Sequence, residues 1–323
     1  MSRNPAILLC GLLALLTGGC SLISPIAPEE SRQQGVYLLP ATDDSLLNRH
    51  APIFLVEDNQ RDYNRIGTPA VRVSGSGQED IYIDTDRATI YTMTQEFETA
   101  SGRYTNLIYR IHFPLTPLPH LTAGKNVGLL IYVTLNSAGE EILITTLHTC
   151  GCFLAFIPTT KLPASSWPSD WQKTGQIVFS EELPGLIESQ NARQRLIIKL
   201  RSETHRVMNI KYTNPADYEN IDNLPMHMEP IAALNHLPAP NNQFVSFYAT
   251  KGLRKGIVKG SRKPLEMLFM SLLAMDPFIG EDKALGHPDE TGTKFYTSLK
   301  FWARNSSNIW FFPRFLQYWG WDL

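Results

Sequence analysis

Residues 127 to 152 constrain the fold of this chain more than any other stretch. Val127 to Leu135 is a nearly unbroken run of β-formers. Asn136-Ser137-Ala138-Gly139 places glycine where a turn needs positive φ, and Glu141 to Leu147 returns. Two such runs around a glycine-bearing turn predict an antiparallel hairpin. An apolar run of that length predicts a central strand covered on both faces.

The flanking segments read the same way. Asp80 to Thr85 alternates, with Ile81 and Ile83 opposite Tyr82 and Asp84, and Ile90 to Glu98 is extended up to a turn at Ala100-Ser101-Gly102. In Tyr104 to Phe113, Leu107, Tyr109, Ile111 and Phe113 share one face, while Asn106, Arg110 and His112 point the other way beside Ile108. Arg195 to Leu200 and His205 to Tyr212 form a further pair, and period-two alternation of this kind is the strand signature. Beyond residue 215 the texture changes. Residues 214 to 242 are rich in Pro, Asn and Asp and read as a long ordered loop. Leu265 to Met275, behind Pro264, is the best helix; its apolar residues occupy most of the circumference, which predicts burial nearly all round. Residues 295 to 321 concentrate aromatics and predict one or two short helices broken near Pro313. The predicted fold is α+β, mostly antiparallel β-sheet, sandwich- or barrel-like, with a helical C-terminal cap. The predicted order along the chain is a signal peptide (1–19), a lipidated tether (20–48), a β-rich domain (49–215) and a loop and helical region packed on it (216–323).

The returning strand runs into His148-Thr149-Cys150-Gly151-Cys152. If it stays extended, Ile142, Ile144, Thr146, His148, Cys150 and Cys152 share a face. Residues i and i+2 on a flat strand lie about 6.5–7 Å apart, too far for a disulfide and a stretch for two ligands of one metal. Gly151 can bend the chain and relieve both. Three states follow: a tight Cys150–Cys152 disulfide, structural or redox-active; two thiols buried as small hydrophobes; or a Zn or Cu site, since thiolates and a neutral imidazole suit those metals. A metal needs further ligands, and Met226, His227 and Met228 are the candidates, with His205 and His112 behind them.

The N-terminus fixes the compartment. Met1-Ser2-Arg3 precedes an apolar run from Ala6 to Leu16, then Thr17-Gly18-Gly19-Cys20. These are the parts of a secretory signal, and the apolar run is about half of what a spanning helix needs. Cysteine after two glycines resembles the lipobox of bacterial lipoproteins, in which that thiol is diacylated; Thr17 stands where Leu is usual. Ser21 rather than Asp after the cysteine resembles outer-membrane cargo. The lipid bilayer, through acylated Cys20 and its palmitate-like chains, is therefore the first expected partner. An oxidising compartment favours a Cys150–Cys152 disulfide. About 300 residues remain after cleavage; 43% are hydrophobic and 19% charged, an ordinary globular composition, and a net charge of −2 argues against nucleic acid.

His148 to Cys152 after the hairpin, Asn64-Arg65-Ile66-Gly67-Thr68-Pro69, Gly102 to Arg110 and Gly124-Lys125-Asn126-Val127-Gly128 carry a resemblance. The chain resembles a group of uncharacterised bacterial lipoproteins over most of its mature length. The resemblance implies a lipoprotein and brings no activity.

Two further features bear on partners. Lys251, Arg254, Lys255, Lys259, Arg262 and Lys263 crowd a segment with Gly252, Gly256 and Gly260. Such a run can contact anionic lipid or glycan phosphates, or be a solvated hairpin; the P-loop spacing is absent. The C-terminal aromatics, including Phe295, Trp302, Trp310, Phe311, Phe312, Phe315, Tyr318, Trp319 and Trp321, are expected to cover the sheet, with a membrane interface or ligand groove as alternatives. No Gly-x-Ser-x-Gly or His-Glu-x-x-His occurs, so the reading leans away from an enzyme and assigns no catalytic residue. The expected function is that of an outer-membrane-anchored lipoprotein, facing the periplasm or the cell surface, acting as a non-catalytic binding or assembly factor with an envelope protein or anionic lipid or glycan as partner. The alternative is a metal-binding or thiol-redox lipoprotein acting through His148, Cys150 and Cys152.

Overall fold

The structure is a computed structural model that describes residues 34–40, 44–74, 79–188, 194–219, 223–240 and 242–323. In chain order the strands are β1 (Gly35–Leu38), β2 (Ile53–Val56), β3 (Thr68–Val73), β4 (Glu79–Asp84), β5 (Thr89–Thr99) and β6 (Gly102–Thr116). They continue as β7 (Gly124–Leu135), β8 (Glu141–His148), β9 (Ala155–Pro158), β10 (Gln176–Val178) and β11 (Glu181–Leu183). They end in the two large sheets with β12 (Arg195–Leu200), β13 (Val207–Thr213), and the short β14 (Asn223–Pro225) and β15 (His227–Pro230). Strand pairing builds a five-stranded sheet in the order β13-β12-β2-β1-β14 and a six-stranded sheet in the order β15-β5-β6-β7-β8-β9, with two-stranded ribbons beside them.

Alternation decides the layers. In the five-stranded sheet Tyr37, Phe54, Ile198 and Ile210 are cross-strand partners along one row. In the six-stranded sheet Leu107, Val133, Ile144 and Ile157 form the matching row. Both rows belong to one buried cluster, so the two sheets pack face to face as a sandwich. The opposite face of the six-stranded sheet carries Ile108, Leu130, Tyr132, Leu143 and Phe156, covered by β3 and β4 and by the C-terminal segment through Phe295, Phe312, Phe315 and Trp321. β7 is thereby buried on both faces, as its apolar run requires. The hairpin turn closes through Asn136, whose Oδ1 accepts from the amides of Ala138 and Glu140, while Gly139 takes φ +76°.

The folded body begins earlier than the sequence suggests. Residues 34–48 include β1 and the start of a one-turn helix, Leu46–Arg49, so this part of the expected tether belongs to the body; Cys20 and the signal lie outside the described residues. Residues 34–323 form one compact unit, with no division at residue 215. The stretch expected to be a loop joins the sheets instead. β14 runs parallel to β1, and β15 runs parallel to β5. Met226 between them is buried in the inter-sheet core, its amide donating to the Leu38 carbonyl at 2.9 Å. A second correction concerns the helix Pro264–Ala274, which is not buried all round. Only Glu266 and Ala274 are buried, while Leu268, Phe269, Leu272 and Leu273 are 61–87% exposed. An all-apolar helix has no periodicity from which its inward face can be read. No helix among the described residues is long and apolar enough to cross a membrane.

Candidate functional site

β8 ends at His148, and the chain then folds back on itself. The amide of Gly151 donates to the His148 carbonyl at 2.8 Å, and the amide of His148 donates to the Cys152 carbonyl at 2.9 Å. Gly151 takes φ +96° and lies so close to the 296–297 backbone that a Cβ would sit 2.1 Å from the Tyr296 carbonyl oxygen. Only glycine satisfies both conditions. The bend draws the Cα atoms of Cys150 and Cys152 to 5.7 Å and closes a disulfide between them. Of the three states open to the pair, the structure holds the disulfide.

A buried polar network holds this turn from beneath. The Thr149 hydroxyl donates to Asp282, which also accepts from the Gly128 amide at 3.1 Å and from Lys263 Nζ at 2.7 Å. Lys283 Nζ donates to the Cys150 carbonyl at 2.8 Å and stands 4.5 Å from the Tyr296 ring centroid. Burial pushes the Lys283 ammonium down to a pKa of about 8, against the pull of Asp282. Arg110 Nη1 donates to the Lys283 carbonyl at 2.9 Å and its Nε donates to His112 Nε2 at 3.0 Å. Arg110 of β6 thus ties Lys283 to the sheet, and Asn126 of β7 ties Lys259 through its carbonyl at 2.9 Å.

The row of one histidine and two thiols does not form. His148 Nε2 faces the His205 carbonyl at 3.2 Å, and its ring meets Phe153 edge-on at 4.6 Å. His205 stacks on Phe113 at 4.0 Å and its Nε2 faces the Tyr63 carbonyl at 2.9 Å. Burial lowers both imidazoles to pKa values of about 3, so each is a neutral packing residue at neutral pH. His112 is lowered well below its usual range by burial and by Arg110. Met226, His227 and Met228 are not loop ligands. Met226 is core, His227 is exposed, and β15 lies four strands from β8, roughly 19 Å at ~4.8 Å per strand. Among the described residues no three His, Cys, Asp or Glu side chains converge as a metal-holding set. The donors expected for Zn or Cu therefore do not fit a common site, and the disulfide withholds both thiolates.

The basic run is divided by burial. Lys263 is 1% exposed and paired with Asp282, and Arg254 pairs with Glu281 at 2.7 Å. Those two are structural cations rather than anion contacts. Lys251 and Arg262 remain exposed, with Lys255 and Lys259 half-buried.

The turn instead borders an apolar groove of about 440 Å³. Its apolar lining includes Leu121, Phe153, Phe179, Met270, Leu299 and Trp319, together with the disulfide and Gly151. Phe179 is 64% exposed. The polar side chains that border it are Thr122, Thr297, Ser298, Lys300 and Glu266. Glu266 is 8% exposed, and its Oε2 has no hydrogen-bond partner. Desolvation raises its pKa above the usual carboxylate range, although Lys263 and Lys283 oppose the shift. Glu266, Met270 and Ala274 at i, i+4 and i+8 form the inward face of the helix. The sequence signal that would have found the site is the single charge in an otherwise apolar helix, Glu266. Comparison with family models, curated proteins and solved structures finds no match to this chain.

Proposed function

We propose that the protein is a lipid-anchored, non-catalytic binding factor of the bacterial cell envelope, and that the groove beside the Cys150–Cys152 turn is where it holds an amphipathic ligand. The observation that carries the reading is the buried Glu266 Oε2, which has no hydrogen-bond partner and borders a groove whose lining is mostly apolar. A buried acceptor left without a donor costs about 1–3 kcal/mol, which a ligand's donor group recovers on binding. The ligand class that fits has an apolar body for Phe153, Phe179, Met270 and Trp319 and an amine or hydroxyl head for Glu266. Mostly apolar walls with a few polar groups are what small-molecule sites generally present. Support for the anchored half comes from Thr17-Gly18-Gly19-Cys20-Ser21 and from the exported setting that a disulfide favours.

Displacement of N-phenyl-1-naphthylamine by dodecylamine tests the groove. Dodecylamine should displace the probe, Leu299→Glu should abolish binding of both, and Glu266→Gln should weaken dodecylamine about tenfold or more while sparing the probe. Binding that ignores both substitutions would remove the groove from consideration. A thiol-redox role is favoured over a metal role as the second reading, because the disulfide itself lines the groove and Cys152 is half-buried rather than sealed. It requires an external dithiol as reductant: one thiolate attacks a sulfur of the pair and forms a mixed disulfide, its second thiol displaces that sulfur, and the reductant leaves as its own disulfide while Cys150 and Cys152 are left as two thiols. Alkylation and intact mass after mild reductant separate the readings: an unchanged mass leaves the bond structural.

A further inference from the structure

The helix Pro264–Ala274 turns Glu266, Met270 and Ala274 inward and leaves its other face without a covering element. On that face Leu268 is 69% exposed, Phe269 61%, Leu272 87% and Leu273 74%, and Met275 just beyond the helix is 64% exposed. They fall at i, i+1, i+4, i+5 and i+7, one contiguous stripe. The apolar surface continues beyond the helix. Arg304 caps its C-terminal end, Nη2 donating to the carbonyls of Ala274 at 2.6 Å and Met275 at 3.2 Å, which brings Phe301 and Trp302 alongside. Trp302 is 70% exposed. Leu253, 91% exposed, borders the same hollow as Asp276 and Arg304.

The charges around this face are sorted by sign. Between residues 251 and 304, Glu266, Asp276, Glu281 and Asp282 are buried, whereas Lys251, Arg262, Lys294 and Lys300 are exposed. Asp289 and Glu290 are the exposed acids of that segment. Soluble proteins rarely leave so large an apolar patch uncovered. A convex apolar stripe with no hydrogen-bonding groups, edged by tryptophan and cations, matches the layering of an anionic bilayer: acyl chains, then interface, then charged headgroups.

We infer that this face docks on anionic lipid bilayers, with Leu268, Phe269, Leu272, Leu273 and Met275 entering the acyl boundary and Lys251, Arg262 and Lys300 meeting headgroup phosphates. The contact is independent of acylation at Cys20. It would orient the body so that the groove, on the opposite side of the same helix, opens along the bilayer surface.

The test uses the chain from Ser21 onward, which bears no acyl group and contains the compact unit 34–323 with both large cores. It should co-sediment with vesicles of phosphatidylethanolamine and phosphatidylglycerol, less with phosphatidylcholine alone, and less as salt rises. Leu272→Glu with Leu273→Glu should lower the partition coefficient at least about tenfold. Lys251→Glu with Lys300→Glu should lower it on the anionic vesicles alone. Circular dichroism and urea unfolding unchanged from the parent show that the variants fold. Brominated lipid should quench the parent more than Trp302→Phe. Equal sedimentation of parent and Leu272/Leu273 variant overturns the inference. So does a dimer in sedimentation equilibrium that this variant breaks, because the face would then belong to a second copy of the chain. Neither failure touches the groove or Cys20, which are read by other measurements.

Discussion

His148 and His205 are buried too deeply to carry a proton at neutral pH. Their rings lie inside the protein, held by the carbonyls of His205 and Tyr63, with pKa values near 3 against an ordinary 6.5. Between those values the unfolded chain binds protons that the native state does not, so stability is complete above about pH 6.5 and falls as pH drops through the window. Each ring contributes up to about 1.4 kcal/mol per pH unit. In urea unfolding, the parent should lose about 2 kcal/mol more than His148→Gln between pH 7.5 and pH 5. Equal losses would mean that the ring already titrates in the folded protein. Neither imidazole's role was legible in the sequence. His148 sits one residue before a chain reversal, and the strand pattern carries no sign of that reversal apart from Gly151. Gly151 marks in the sequence the one residue able to bend the chain there, but its close approach to the Tyr296 carbonyl comes from a segment 145 positions away.

At the level of elements, strands with clear alternation were legible and the apolar helix was not. β6 shows why. Its Leu107, Tyr109, Ile111 and Phe113 enter the inter-sheet core, and Ile108, Arg110 and His112 face the other way, as period two dictates. The helix Pro264–Ala274 offers no such contrast, so its exposed stripe had to come from the structure. The C-terminal aromatics were read as a cover for the sheet, and the buried ones are that. Phe312 stacks on Tyr132 at 5.2 Å, and Phe156 meets both Phe315 and Trp321. Phe312→Ala should therefore cost about 3–5 kcal/mol in urea unfolding, the range for a large aromatic removed from a packed core. A cost below about 1 kcal/mol would mean that the C-terminal helix, Phe312–Tyr318, is an ornament on the sheet rather than its cover. Trp302 and Phe301 from the same segment are exposed, and the composition of residues 295–321 does not separate them from the buried rings.

For the whole molecule, the sandwich was legible because each strand announced its own faces, while the seam between the sheets was not. β14 and β15 are short, contain Pro225 and Pro230, and form parallel ladders with strands some 140 residues or more distant. Local propensity carries little information about such pairing. The proposed delivery to the envelope rests on Cys20, which precedes this body in the chain. Palmitate should label the parent and not Cys20→Ser, and the variant should leave the membrane fraction once high salt has released any contact made by the helix face; label on both would move the anchor elsewhere. The first strand among the described residues, β1, is no edge strand: β2 flanks it on one side and β14 on the other. Under the proposed attachment, any drag transmitted from the N-terminal side pulls lengthwise on a strand gripped along two ladders, and must shear both together instead of unzipping one bond at a time.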